Sequence, residues 1–206
     1  MRPTSRFRRC GAAVLGTVAL AASIAACGRD ASTLRAGATT SASATAASRH
    51  SDADTQFAQM MIVHHQGAIE MGELAASKGS TPDVRALGQR IVAAQGPEIE
   101  LMSGWLAQWG VPSPTASDHS AMPGMEVGGM SQSNATDQLS GSTGTAFDRE
   151  FLTLMISHHE GALQMAASEQ AHGQSADARN LAAAITTSQT AEIEQMRGML
   201  AALGPA

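Results

Sequence analysis

The sequence predicts an all-α protein: a ferritin-like four-helix bundle built from two repeated helical hairpins joined by a long crossover linker. Three observations predict it. The composition is 43% hydrophobic yet only 3% aromatic, with no tyrosine, which suits helices packed through small and flexible side chains better than a β-sandwich. The chain repeats itself without a gap, Asp54 to Gly110 against Asp148 to Gly204, at an offset of 94 residues, and roughly two positions in five are identical. Each repeat holds two stretches of apolar residues at bundle spacing, bounded by residues that start and stop helices.

Taken in order, the N-terminus reads as an export signal over residues 1–26. Arg2 to Arg9 are basic, and Gly11 to Ala22 form an apolar run too short to anchor in a bilayer. Ser23-Ile24-Ala25-Ala26-Cys27 resembles a bacterial lipoprotein cleavage box, with Cys27 as the lipidated residue. The expected location is the outer face of the cell membrane, held by that lipid; the alternative is ordinary signal cleavage that leaves Cys27 a free thiol. Losing the signal removes Arg2, Arg6, Arg8 and Arg9 but no acid, which leaves nine basic against 18 acidic residues. That balance argues against nucleic acid, which requires clustered Lys and Arg, and suits a cation. Residues 27–50, rich in Ala, Ser and Thr, read as a disordered tether.

The bundle domain is expected over residues 51–206. The first helix runs from Asp52 to Lys78, with Ser51 as N-cap, Asp54 three residues on and Gly79 as stop. The second runs from Pro82 to Trp109, capped by Thr81 and ended by Gly110-Val111-Pro112. These form repeat one, residues 52–110. A linker of Ser, Gly and Met follows over 111–144. Repeat two, 145–204, opens with Thr145 as cap and Asp148 three residues on, turns at Gly173 to Ser175, and stops at Gly204-Pro205. Helices of this length are roughly 40 Å long, and the linker is long enough to span that distance. A crossover is therefore favoured over a simple up-down bundle. Pro97, without a counterpart in repeat two, is expected to kink the second helix. The pairs Gly67/Gly161 and Gly104/Gly198 are expected to allow close helix approach.

Polar residues sit on the apolar stripes where leucine would be expected. His64 lies 15 residues before Gly79, and Glu98 lies 16 after Pro82; His158 and Glu192 are placed almost the same way in the second hairpin. In antiparallel hairpins these residues share a height, with Met61 and Met102, or Met155 and Met196, one turn away. Two sets of donors are thus expected at mid-bundle: Met61, His64, His65, Glu98 and Met102, and Met155, His158, His159, Glu192 and Met196. Adjacent His64 and His65 point about 100° apart, so one is expected to face the core and the other a flank, where it binds metal or meets a carboxylate. Met71 and Met165, two turns off, rank lower. So do His119, Met122, Met125 and Met130 in the linker. Thioether and neutral imidazole suit copper, Cu(I) before Cu(II), and need no thiolate in an oxidising compartment. No organic cofactor is implied, and no protein partner is named by any motif.

The residues Asp54, Phe57, Met61, Ile62, His64, His65, Ala68 and Met71, with their counterparts Asp148 through Met165, resemble the family catalogued as domain of unknown function 305. The resemblance implies a ferritin-like bundle in exported bacterial proteins, some associated with copper binding or resistance, with no settled enzyme activity. The expected function is an extracytoplasmic lipoprotein that binds copper for sequestration, tolerance or transfer, without catalysis. Two rivals differ in class. A ferritin-like metal oxidase wants Glu-x-x-His on two helices, and the one such spacing, Glu169 to His172, has Ala75 and Lys78 as its counterparts. A metal-free envelope scaffold would use the same His and Glu residues as a buried polar network.

Overall fold

The computed structural model describes residues 49–115 and 127–205. Its elements are α1 (Asp52–Lys78), α2 (Pro82–Trp109), α3 (Gln132–Gly141), α4 (Gly144–His172) and α5 (Ala176–Ala202). The residues that cap and stop α1, α2 and α5 act as the local chemistry requires. Ser51 and Asp54 form a reciprocal capping box on α1, Thr81 accepts the Val84 amide on α2, and Ser175 accepts that of Ala178 on α5. Gly110 closes α2 in the left-handed conformation, φ 72°. Among the described residues no helix is long and apolar enough to cross a membrane.

α1 packs on α2, α4 on α5, and the two hairpins meet through α1 and α4. Their directions follow from two buried aspartates. Asp54, near the start of α1, accepts the backbone amides of Gln174 and Ser175 in the turn after α4. Asp148, near the start of α4, accepts those of Ser80 and Thr81 in the turn after α1. α1 and α4 therefore run antiparallel, and each hairpin caps the other's turn. α2 ends beside the start of α1, where Gln59 donates to the Pro112 carbonyl, whereas α4 starts beside the α1 C-terminus. The connection must cross the length of the bundle, so the order is up-down-down-up rather than up-down-up-down.

Several expectations need correction. The linker contains α3, which buries Gln132, Ala135 and Leu139 against α1 and α4. Ten residues with two apolar anchors carry too weak a period to be read from sequence. α4 begins at Gly144 rather than after Thr145, with Thr143 at the N-cap position but without a side-chain cap bond. Asp148, expected to form a local box, faces Ser80 and Thr81 instead. Gly67 and Gly161 are closely approached by Gln132 and His64, but a Cβ at Gly104 or Gly198 would meet nothing within 4 Å; the tightest backbone approach is at Gly72 and Gly88, where a Gly88 Cβ would lie 2.4 Å from the Gly72 carbonyl oxygen. The signal, Cys27 and the tether up to residue 48 lie outside the described residues, as do His119, Met122 and Met125.

Candidate metal centre

The core is divided by a polar layer. One apolar cluster holds Phe57, Met61, Met102, Trp105 and Ile185. The other holds Met71, Leu87, Ile91, Phe151, Met155 and Met196. Between them along every long helix come the polar residues: His64 and His65 on α1, Gln95 and Glu98 on α2, His158 and His159 on α4, and Gln189 and Glu192 on α5.

Both histidines of each pair are buried: His64 3% and His65 0% exposed, His158 1% and His159 0%. Neither member of a pair lies on an exposed flank, as the 100° separation alone would suggest, because α1 and α4 each have neighbours on two sides. Residues 100° apart thus find different partners. His65 faces α2, where its Nε2–H donates to Glu98 Oε2 at 2.6 Å; His159 Nε2–H donates to Glu192 Oε2 at the same distance. His64 and His158 face each other across the α1–α4 interface, ring centroids 3.6 Å apart and tilted by 41°. They are equivalent positions of the repeat, so they sit on the approximate two-fold axis that relates the hairpins.

The half-buried carboxylates fix a tautomer. With Nε2–H bound to Glu98 or Glu192, the Nδ1 of His65 and His159 carries the free lone pair, the arrangement in which a carboxylate orients an imidazole for metal. Among the described residues, these two Nδ1 atoms, Nδ1 of His64 and both ring nitrogens of His158 have no well-formed hydrogen-bond partner. The amide oxygens of Gln95 and Gln189 lack one as well. An orphaned buried polar atom costs about 1–3 kcal/mol, so gathering so many in one layer opposes stability. Burial, reinforced by the neighbouring histidines, pushes the pKa of His64 and His158 well below the usual 6.5. Both rings stay neutral at neutral pH and offer lone pairs rather than positive charge.

The expected thioethers are all completely buried, Met61 and Met102 on one side of the layer and Met155 and Met196 on the other. Among the lower-ranked residues, Met71 is core, Met165 is half-buried at a groove, and Met130 closes a small bridge with Val127 and packs on the core. Gln95 and Gln189 belong to the layer although the sequence reading assigned them no role. Their repetition one turn before Glu98 and Glu192 was the available signal. Among the described residues no three His, Cys, Asp or Glu side chains converge on one point. Of the two residues with oxidase spacing, Glu169 is buried and His172 is exposed.

The family described as domain of unknown function (DUF305) matches residues 54–200. The chain belongs to the DUF305 family. A crystal structure of a DUF305 protein from Streptomyces coelicolor is 31% identical, covers 74% of this chain and 94% of its own, and superposes with a TM-score of 0.65. CopM in its Cu(I)-bound form is 32% identical over 74% of this chain and 98% of its own, TM-score 0.60. CopM in its Cu(II)-bound form is 35% identical over 71% and 95%, TM-score 0.59. No curated protein matches the chain. The fold is thus that of a DUF305 bundle.

Proposed function

We propose that this protein is an exported copper-binding lipoprotein that holds Cu(I) in the polar layer at mid-bundle and stores or passes it on without a catalytic step. The observation that carries this reading is the set of orphaned ring nitrogens in a buried layer bounded by methionines. His64 and His158 supply facing neutral imidazoles, and His65 and His159 supply lone pairs oriented by Glu98 and Glu192. Met61, Met102, Met155 and Met196 supply soft donors from either side. Soft, low-coordinate donors favour Cu(I) over Cu(II), and the carboxylates serve better as orienting groups than as ligands. CopM, about a third identical to this chain, is known in Cu(I)-, Cu(II)- and silver-bound forms. Export and a Cys27 lipid anchor rest on the N-terminal sequence, and a Streptomyces coelicolor relative is described as a secreted protein.

The test is metal analysis of the full chain and of a His64→Leu/His158→Leu variant after loading with Cu(I) under reducing conditions. Both carry the same cysteines, so thiol binding cancels. The variant is expected to lose the core copper yet remain folded, because replacing orphaned polar groups with apolar ones of similar size is close to neutral. Equal copper content in the two proteins would refute the reading and favour the scaffold.

A further inference from the structure

The approximate two-fold axis should give the histidine layer two equivalent mouths, one over Gly67 and one over Gly161. They are not equivalent. A Cβ on Gly161 would lie 3.1 Å from Nε2 of His64 and within 4 Å of nothing but that ring. Beyond Gly161 lies an open groove of about 500 Å³ between the first half of α1 and the second half of α4, walled by Met60, Gln164, Met165, Glu169 and His172. A Cβ on Gly67 would instead strike the side chain of Gln132 at 2.3 Å. Gln132 comes from α3, is 6% exposed, and is held to Thr136. The linker helix fills the second mouth.

The walls differ in chemistry as well. The repeat counterparts of Met60, Met165, Glu169 and His172 are Leu154, Met71, Ala75 and Lys78. On the sealed side Leu154, Met71 and Ala75 are apolar core, and Lys78 lies over the Phe147 ring and donates to the Ser140 carbonyl of α3. On the sealed side an alkyl chain, a methyl and a positive charge stand where the open side presents the Met60 thioether, the Glu169 carboxyl and the His172 imidazole, and the remaining thioether, Met71, is packed into the core.

We propose that the groove over Gly161 is the inlet by which a soft monovalent cation reaches His64, and that Gln132 of α3 plugs its twin. The proposal rests on the copper reading of the layer. Met60, Met165 and His172 are exchangeable donors that take the cation from its carrier. Because Gly161 has no side chain, nothing of its own stands between the groove and the His64 ring.

Silver(I), which has no redox step, serves as probe: its transfer from a chromogenic chelator to the full chain is followed by stopped flow, with the final silver content measured. Gln164→Trp, at an exposed position on the groove wall, is expected to slow loading roughly tenfold and leave the end point unchanged, since it obstructs the path without touching the layer. Met60→Leu/His172→Gln should slow it too, through lost donors rather than bulk. Adding Gln132→Ala to Gln164→Trp should restore the rate by opening the second mouth. Wild-type rates in both groove variants at a normal end point overturn the inlet, and slowing without rescue overturns the plug. A wild-type end point no higher than that of His64→Leu/His158→Leu is a different failure, that of the copper reading itself.

Discussion

The first hairpin and the second are copies, yet they have been finished differently at every level except the middle. α1 and α2 touch through Gly72 and Gly88. The same two places in α4 and α5 are Ala166 and Ala182, both completely buried, so the second pair accommodates two methyls where the first accommodates none. Behind the buried Asp148 of one end stands Ala75; behind its twin Asp54 stands Glu169, 1% exposed. Neither Glu169 oxygen has a well-formed hydrogen bond. Burial first, then the adjoining Asp54 carboxylate, push its pKa up to about 8, against the opposing pull of Arg179. Asp54 behaves oppositely: burial alone would raise it, but hydrogen bonds from Ser51, Gln174 and Ser175 more than offset this and hold it well below the ordinary range. The difference teaches that packing distance and end electrostatics were free to diverge after duplication, whereas the His, Gln and Glu layer kept the same residues in both halves.

The comparison can be broken at its strongest point by adding one methyl. Gly88→Ala is expected to destabilise the bundle by about 2–3 kcal/mol, because the Gly72 backbone cannot move aside as a side chain would. Gly104→Ala, which meets open space, should stabilise it by about 0.5–1 kcal/mol. Urea unfolding measures both, and a neutral Gly88→Ala would mean that the α1–α2 contact is not tight.

Removing the exchanged caps comes next. Asp148→Ala strips the partners from the Ser80 and Thr81 amides and is expected to cost about 2 kcal/mol. Asp54→Ala breaks equivalent bonds but relieves Glu169, so it should cost less than Asp148→Ala above pH 8 and a similar amount near pH 5. Equal losses at both pH values would show that Asp54 and Glu169 do not interact.

The smallest effect is the pH dependence owed to Glu169 alone. Its folded pKa is raised from 4.5 to about 8, so its contribution to stability is complete below pH 4.5 and is lost as pH rises through 8. Glu169→Gln should be indistinguishable from wild type at pH 4 and more stable by about 1–2 kcal/mol at pH 9. Parallel stability curves across that range would refute the assignment.

Much of this was legible in the chain. The limits of α1 and α2 follow from residues that act within one turn: the Ser51 box, Thr81 before Pro82, Gly110 in the left-handed region. The shared height of His64 and Glu98, and of His158 and Glu192, follows from the fixed rise of a helix and the shortness of the turns. Less was legible where a partner lies far along the chain. Asp54 and Asp148 read alike as local caps, and only packing showed that each serves the other hairpin. His64 and His65 differ by one residue and could not be assigned to α4 and α2 until the helices were in place. Gln132 looked like linker, although it fills the space left by Gly67.

The helices, their duplication and the donors at mid-height follow from local residue order, because capping and periodicity are satisfied within a few residues. That His64 meets His158, that His65 meets Glu98 and that Gln132 covers Gly67 emerge only once the helices are packed. Those outcomes depend on how whole helices settle against each other, and that is fixed by the summed packing of every interface rather than by any local run of residues.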